Sequence, residues 1–261
     1  MEPKIAVKDL YKTFETRRGS TEALGGVNLT IGEGEFLCIL GPSGCGKTTM
    51  LRIMAGLETI TSGDVEMRQS DHNCPLNSMV FQEHSLFPWM TVIDNASFGL
   101  EMLGVPKKER HKRAMAFLEV VGLTRFRNHY PNQLSGGMKQ RVSLARAFVT
   151  DPEVLLMDEP FASLDAQNKI LLQDELVRIW ERFRKTVVYI THSIDEALLL
   201  GDRVVVMTAA PGTLKEIMEV GFKRPRNIFE IRTTVEFGEM SLRIWQILES
   251  EVRKAREAEE R

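Results

Sequence analysis

The sequence, 261 residues long, lacks an apolar run of the length that crosses a membrane, about 18 residues. Its three cysteines are odd in number and have no paired metal-ligand spacing, so a disulfide scaffold is excluded and a zinc module is not indicated. Neither sign of charge dominates, because 34 Lys and Arg face 36 Asp and Glu for a net charge of −2. This balance argues against broad binding to nucleic acid or acidic lipid. Residues 1–15 lack the apolar core of a signal peptide, and we expect a protein of the reducing cytoplasm.

The remaining composition, 43% apolar and 27% charged, is that of an ordinary globular protein. Residues 1 to about 40 have the pattern of strands, and about 93–150 that of helices. Apolar strands then alternate with helical stretches, as in a parallel sheet covered on both faces. The predicted strands are 154–157, 186–190 and 203–207, and the predicted helices are about 166–184, 194–200 and 234–259. We therefore expect an α/β core that carries a helical insertion.

Residues 41–49, GPSGCGKTT, match G-x-x-x-x-G-K-[ST], the pattern of a phosphate-binding loop between a strand and a helix. The glycines let successive N–H groups converge on phosphate oxygens, and the helix start adds its positive end. Lys47 can then reach the β- and γ-phosphates, and the Thr48 hydroxyl can hold Mg²⁺. The predicted phosphate-binding residues are Gly41, Pro42, Ser43, Gly44, Cys45, Gly46, Lys47, Thr48 and Thr49.

Within this loop, Cys45 is either a small filler or a functional thiol. We hypothesise that its thiol is reactive, because convergent backbone amides favour the thiolate. Alkylation without any change in the activity of the loop would refute this hypothesis.

Residues 154–159, VLLMDE, place two carboxylates at the end of an apolar strand, where open α/β sheets bind ligands. Consecutive strand residues point to opposite faces, so Asp158 and Glu159 should have different tasks. One would belong to the magnesium shell, and the other would face the water that attacks the γ-phosphorus. The alternative is an ordinary Asp-Glu turn before Pro160.

Residues 134–141, LSGGMKQR, begin a second helical stretch that can bind an anion. Ser135 is a good N-cap, and Gly136 and Gly137 leave the first amides bare. Taken alone, this pattern favours a plain helix N-cap. In a chain with a phosphate loop, a second anion-binding helix start calls for an explanation.

Six motifs together resemble those of an ABC-transporter ATPase subunit over about residues 4–215, and this resemblance explains the second helix start. These motifs are the phosphate loop, LSGGMKQR, LLMDEP at 155–160, SLDA at 163–166, Gln82 and His192. The resemblance implies a phosphate-loop ATPase core with a mostly parallel sheet, an N-terminal antiparallel β subdomain and a helical subdomain. It implies a single ABC ATPase domain over 1–261, with the helical subdomain at about 93–150 and a helical tail at about 220–261. It also implies a head-to-tail homodimer with ATP between the phosphate loop of one subunit and the LSGG stretch of the other.

The resemblance assigns the catalytic roles as well. Glu159 is the expected general base, Gln82 approaches Mg²⁺ and the attacking water, and His192 contacts the γ-phosphate and positions that water. The implied catalytic set is Glu159, His192, Gln82 and Lys47, and the implied magnesium ligands are Thr48, Gln82 and Asp158.

The other implied nucleotide contacts lie outside this set. Phe14 resembles the aromatic residue that stacks on adenine, with Tyr11 as its rival and a core position as the alternative for Phe14. Asp165 would lie across the dimer interface near the phosphate loop of the other subunit. Ser135, Gly136 and Gly137 would contact ATP bound to that same loop.

Residues downstream of Gln82 suggest a membrane partner. Leu86, Phe87, Trp89 and Met90 form a dense apolar patch that is either core packing or a groove for a short helix of a permease. Residues 86–105 and 191–212 resemble the nitrate/sulfonate/taurine importer branch. The stretch 68–78 departs from that branch, because it lacks the usual glycine hairpin turn and the Pro-Gly-rich run.

The expected function is that of an ATP-hydrolysing motor subunit of a membrane ABC importer for nitrate, sulfonate, taurine or a related small solute. Its expected cofactors are ATP and Mg²⁺, and its place is the cytoplasmic face of the inner membrane, as a peripheral protein. Expected partners are permease subunits, a second copy of the chain and, indirectly, a solute-binding protein, with no nucleic acid. The alternatives are a soluble ABC ATPase of translation or DNA repair and a nucleotide switch without turnover. The first generally has two fused motors or a long coiled coil, and Glu159 and His192 argue against the second.

Overall fold

The computed structural model describes residues 2–16, 19–83 and 85–259, with backbone alone at residues 16, 258 and 259. His84 and the last residues of the predicted tail, 260 and 261, lie outside the described residues. The chain forms two compact units, here named the first unit (Met1–Gln69 with Arg184–Arg261) and the second unit (Ser70–Phe183).

Strands and helices alternate along most of the described chain. The strands are β1 (Ile5–Thr16), β2 (Gly19–Ile31), β3 (Phe36–Leu40), β4 (Ser62–Met67), β5 (Asn77–Val80), β6 (Val154–Asp158), β7 (Thr186–Ile190), β8 (Arg203–Met207) and β9 (Leu214–Glu219). The α-helices are α1 (Lys47–Met54), α2 (Val92–Met102), α3 (Lys107–Val120), α4 (Gly136–Phe148), α5 (Ala166–Phe183), α6 (Ile194–Leu200), α7 (Ile228–Ile231) and α8 (Val235–Glu259). The predicted helices after residue 160 agree with α5, α6 and α8 to within a residue or so.

The N-terminal part of the first unit is an antiparallel sheet in which β1 pairs with β2 on one side and β4 on the other. Leu10 and Val27 lie opposite each other in this sheet and are fully buried, so one face packs on the core. Strand β4 was not predicted, because its sequence SGDVEM is mostly exposed and opens like a turn. Gly63 at its start has φ +92°, and a Cβ there would overlap the carbonyl of Asp9.

The other strands of the first unit follow the order β7-β3-β8-β9. Strand β3 is parallel to both β7 and β8, whereas β9 is antiparallel to β8. Every residue of β3 and β7 is buried, as their continuous apolar runs predict. Strand β9 was missed, because LKEIME exposes its charged side chains along the strand.

Helix α8 packs on the rest of the first unit through one of its faces. Phe237, Ile244 and Leu248 are buried on that face. Leu242 and Trp245 point elsewhere and are each 57% exposed. The predicted apolar helical face is therefore present, and a second apolar strip lies beside it.

One charged residue of α8, Glu251, is also buried. Its carboxylate accepts hydrogen bonds from Nζ of Lys215 at 2.7 Å, from Nζ of Lys254 at 2.9 Å and from the N–H of Ala209 at 2.9 Å. These contacts tie α8 to the segment between β8 and β9.

The second unit holds the parallel pair β5 and β6 together with helices α2 to α5. Helix α3 starts after Pro106 and ends before Gly122, whose φ is +69°, as the sequence pattern predicts. The rings of Phe117, Phe148 and Phe183 join α3, α4 and α5 at centroid distances of 5.4–6.3 Å. The assignment of 1–261 to one domain, with a helical subdomain at about 93–150 and a tail at about 220–261, stays a prediction.

Candidate functional site

The phosphate loop joins β3 to α1, and three glycines fix its path. Gly44 and Gly46 have φ of +75° and +91°, in the left-handed region that glycine adopts without strain. A Cβ at Gly46 would lie 2.6 Å from the carbonyl oxygen of Ala23, and one at Gly41 would lie 2.7 Å from Sγ of Cys45. A Cβ at Gly44 would meet no atom within 4 Å. The loop is therefore tight against the protein at Gly41 and Gly46 and open in front of Gly44, where a phosphate can approach the backbone.

Lys47, the first residue of α1, is buried in this loop and only 7% exposed. Its Nζ donates to the carbonyls of Gly41 and Pro42, both at 2.8 Å, and lies 3.6 Å from Sγ of Cys45. These partners are neutral and do not balance the charge of the ammonium. Because the N-terminus of a helix adds further positive potential, the loop suits a polyanion such as a nucleoside triphosphate.

The structure contradicts the hypothesis that Cys45 is a reactive thiol. Its side chain is fully buried, and burial raises the pKa of Cys45 although Lys47 partly offsets the effect. A Cβ at Gly212 would overlap the carbonyl of Cys45, so the segment between β8 and β9 also closes over this residue. Desolvation outweighs the convergent amides, and Cys45 is the small filler of the alternative interpretation.

His192 belongs to the same edge of the first unit as the phosphate loop. Ile39 of β3 lies opposite Ile190 of the parallel strand β7, so Gly41 and His192 leave neighbouring strands at the same end. The exposed His192 and the loop residues 41–43 line one cavity of about 580 Å³.

A buried glutamate missed by the sequence analysis supports the backbone beside His192. Glu196 accepts hydrogen bonds from the hydroxyls of Thr191, at 2.5 Å, and Tyr189, at 3.0 Å. The Thr191 hydroxyl in turn accepts from the N–H of Ser193 at 3.0 Å. His192 therefore stands on a turn that is fixed on both sides.

In the second unit, Asp158 ends β6 and Glu159 follows it. Val80 of β5 lies opposite Met157 of the parallel strand β6, so Gln82 and the two carboxylates leave neighbouring strands at the same end. Asp158 is buried, and Glu159 is half-buried with φ +42°. A non-glycine residue in this region of backbone space costs about 1–3 kcal/mol and is typical of functional sites.

The LSGG stretch begins α4, where Ser135 caps the helix by accepting the N–H of Met138 at 3.4 Å. A Cβ at Gly136 would lie 3.7 Å from Leu164, and one at Gly137 would lie 3.8 Å from Asn168. Both distances are ordinary van der Waals contacts. The packing among the described residues therefore does not require glycine at either position.

Asp165 lies at the start of α5 and is exposed. Its carboxylate accepts from the side-chain amide of Asn168 at 2.7 Å and from the N–H of Asn168 at 3.1 Å. These hydrogen bonds lower the pKa of Asp165.

The two aromatic candidates for adenine stacking occupy different surroundings on β1. Phe14 is half-buried, with Nζ of Lys12 at 4.6 Å from its ring centroid. Tyr11 packs its ring against Gly26, where a Cβ would lie 2.7 Å from the Tyr11 hydroxyl. The assignment of Phe14 stays a prediction.

The apolar patch after Gln82 forms a surface loop. Trp89 is 70% exposed, so core packing does not account for it, and its ring lies 5.5 Å from that of Phe87. Asn95, which the sequence analysis missed, holds this loop from within. Its amide donates to the carbonyls of Phe87, Met90 and Thr91 at 3.0–3.1 Å and accepts the N–H of Phe87 at 2.8 Å.

In the part of the chain that the structure describes, no helix combines the length and apolar character that a bilayer crossing demands.

The glycine-rich loop between β3 and α1 and the buried ammonium of Lys47 define an α/β phosphate-loop protein. A family model described as "ABC transporter" matches residues 24–162, more than half of the chain. The chain belongs to the ABC transporter family, and its predicted fold class and ATPase class are confirmed.

Characterised and uncharacterised relatives agree with this assignment. The uncharacterized ABC transporter ATP-binding protein MJ0412 of Methanocaldococcus jannaschii is 49% identical over 98% of this chain and 95% of its own length. The nitrate import ATP-binding protein NrtD of Synechocystis is 42% identical over 98% of this chain and 97% of its own length. These likenesses confirm the resemblance to ATP-binding subunits of the nitrate-type branch.

Two solved structures of another family member are similar to the chain. One is the dimeric structure of MJ0796, a bacterial ABC transporter cassette, with a TM-score of 0.72 and 35% identity over 84% of this chain and 100% of that chain. The other is a dimeric post-hydrolysis state of MJ0796 bound to ADP and Pi, with a TM-score of 0.71 and 34% identity over the same shares.

Proposed function

We propose that the chain is the ATP-hydrolysing motor subunit of a membrane importer. The observation that carries this proposal is the phosphate loop, because it buries the ammonium of Lys47 among neutral carbonyls in front of an open backbone. The proposal includes a head-to-tail dimer, in which ATP on the phosphate loop of one subunit contacts the LSGG stretch of the other. The helix start at Gly136 and Gly137 supports this dimer, because neither glycine is required by packing among the described residues of the subunit.

The residues present fit Mg-ATP. The triphosphate would lie on residues 41–49 with Lys47 against its phosphate oxygens, and Phe14 would stack on adenine. Thr48, Gln82 and Asp158 offer hydroxyl, amide and carboxylate oxygens, which are the hard ligands that Mg²⁺ prefers. When bound, Mg²⁺ would neutralise charge on the phosphates.

The proposed chemistry is an attack by water on the γ-phosphorus, which breaks the bond from that phosphorus to the oxygen shared with the β-phosphate and releases ADP and inorganic phosphate. Glu159 accepts a proton from that water, and Gln82 and His192 orient it. Glu159 is suited to this task, because it is half-buried and directly follows the last residue of β6. Ser135, Gly136, Gly137 and Asp165 act on the nucleotide site of the other subunit.

The proposed coupling surface is the loop around Trp89. An exposed tryptophan on a loop that Asn95 holds through four hydrogen bonds suits the docking of a short helix from a permease subunit. The subunit would then lie at the cytoplasmic face of the inner membrane, and a solute-binding protein would act through the permease. The similarity to the nitrate import ATP-binding protein supports a small solute such as nitrate as cargo, and sulfonate and taurine are the other candidates that the resemblance implies.

The test is a Glu159→Gln variant, with Glu119→Gln as the matched control on an exposed helix position. We expect Glu159→Gln to bind Mg-ATP, to lose turnover and to accumulate as a dimer, whereas Glu119→Gln behaves as the wild type. Co-expression with permease subunits should give a complex that Trp89→Ala weakens without loss of ATP binding. Undiminished turnover in Glu159→Gln would refute the assigned base, and failure of any permease to bind would refute the importer.

A further inference from the structure

The cavity beside the phosphate loop has a second wall that the proposed ATP chemistry does not use. One wall is formed by residues 41–43 and His192, and the other by helix α8. The α8 residues along it are Ser241, Trp245, Leu248, Val252, Ala255 and Arg256.

This wall combines an apolar strip with a positive charge. Trp245, on the cavity, and Leu242, one turn before it on α8, each expose more than half of their surface. Exposed apolar groups that cluster beside a cavity are typical of surfaces that bind a partner. The exposed Arg256 lies about three helical turns further along and adds a cation to the same wall.

We propose that a second copy of this chain covers the cavity, so that α8 forms part of the seam between two subunits. This inference rests on the proposed ATP-dependent dimer. It goes further because it assigns to α8 a contact that the phosphate loop and the LSGG stretch do not supply.

Two observations favour a second copy over other occupants. First, the cavity is continuous with residues 41–43 and His192, which face the other subunit in the proposed dimer, and the similar solved cassettes are dimers. Second, the exposed ring of Trp245 lines this same cavity, so a subunit that covers residues 41–43 can also cover the apolar strip of α8. Asp195 and Arg256 both line the cavity, so a partner there meets charges of both signs.

The experiment uses the full chain with Glu159→Gln, which keeps Mg-ATP bound without turnover. Trp245→Ala is compared with Phe229→Ala, which removes an aromatic ring of nearly equal exposure outside the cavity. Sedimentation velocity with saturating Mg-ATP gives the dimer dissociation constant of each variant. We expect Trp245→Ala to raise it about tenfold or more and Phe229→Ala to leave it within about twofold.

Fluorescence supplies an independent readout. Trp180 is fully buried, and the contribution of Trp245 is obtained by comparing spectra with and without a Trp245→Phe change. We expect the Trp245 emission to shift to the blue over the protein concentrations at which the dimer forms. If Trp245→Ala does not fold, Arg256→Glu takes its place at an exposed position and should weaken the dimer at low salt.

The outcomes separate this inference from the proposed function. A chain that stays monomeric with Mg-ATP would overturn the proposed dimer and this inference with it. The inference alone would be overturned if the dimer forms without a change in the Trp245 emission and if Trp245→Ala and Arg256→Glu leave the dimer dissociation constant unchanged. A blue shift that follows ATP concentration in the monomer would assign the cavity to a nucleotide and also overturn it.

Discussion

The buried carboxylate of Glu251 supports a quantitative prediction about stability. Burial alone would raise the pKa of Glu251, but hydrogen bonds from Lys215, from Lys254 and from the N–H of Ala209 outweigh it. The pKa falls from an ordinary 4.5 to about 2. The perturbation is Glu251→Gln, which keeps the shape of the side chain and removes its charge.

The size of the effect follows from this shift. The pKa difference corresponds to about 3 kcal/mol of folding free energy at pH 7, since each pKa unit contributes about 1.4 kcal/mol. Because the pKa is lower in the folded state, the contribution is complete above pH 4.5 and is lost as the pH falls towards 2. It should still be about 2 kcal/mol at pH 3.5. The amide oxygen of glutamine keeps some hydrogen bonds, so we expect Glu251→Gln to lower the free energy of unfolding by about 1–3 kcal/mol at pH 7.

The assay is urea unfolding followed by circular dichroism, at pH 7 and again at pH 3.5. Glu249→Gln is the control, because Glu249 is partly exposed on the same helix and pairs only with Arg253 in the contacts described. It should change the free energy of unfolding by less than about 0.5 kcal/mol. Equal midpoints for the wild type and Glu251→Gln at pH 7 would refute the reasoning. So would a stability difference that grows as the pH is lowered.

Three further predictions concern the candidate site. Gly136→Ala should leave the melting temperature within about 2 °C of the wild type, because the new methyl group meets only ordinary contacts within the subunit. It should reduce ATP turnover about tenfold or more, because in the proposed dimer the methyl group faces ATP on the other subunit. A large fall in melting temperature would contradict this prediction. Iodoacetamide should label the half-buried Cys74 of the native protein before Cys45, whose pKa is raised by burial, as peptide mass spectrometry can check; early labelling of Cys45 would show that the loop opens. Asn95→Ala should lower the stimulation of ATPase activity by a permease while the ATPase activity of the free subunit is kept, since it releases the loop that presents Trp89; equal losses in both activities would contradict it.

The buried elements of the fold could be predicted from the sequence, and its edges could not. Strands β3 and β7 are continuous apolar runs, and such runs are buried wherever a parallel sheet forms. Strands β4 and β9 carry charged and half-exposed residues, so their strand character depends on pairing with β1 and β8. Local sequence does not contain that information.

The same division holds for the candidate site. The spacing of the phosphate loop requires glycine at fixed positions, so the loop could be predicted from residues 41–49 alone. The hypothesis about Cys45 was wrong, because its burial is produced partly by Gly212, far along the chain. Glu251 and Asn95 were missed for a related reason, since Glu251 bonds to Ala209 and Lys215 far along the chain and Asn95 bonds to backbone groups. In the sequence, Glu251 cannot be told from the solvated charges around it.

The bonds of Lys47 bear on how variants of this loop should be chosen. Its ammonium is an internal strut of the loop, because it joins the carbonyls of Gly41 and Pro42 to the first turn of α1. A Lys47→Ala variant would therefore remove that strut together with a phosphate ligand. Weak nucleotide binding in such a variant would therefore have two causes, a distorted loop and a missing charge. Lys47→Arg keeps the charge, but its larger planar guanidinium also disturbs the two carbonyl bonds, so neither variant isolates the phosphate contact.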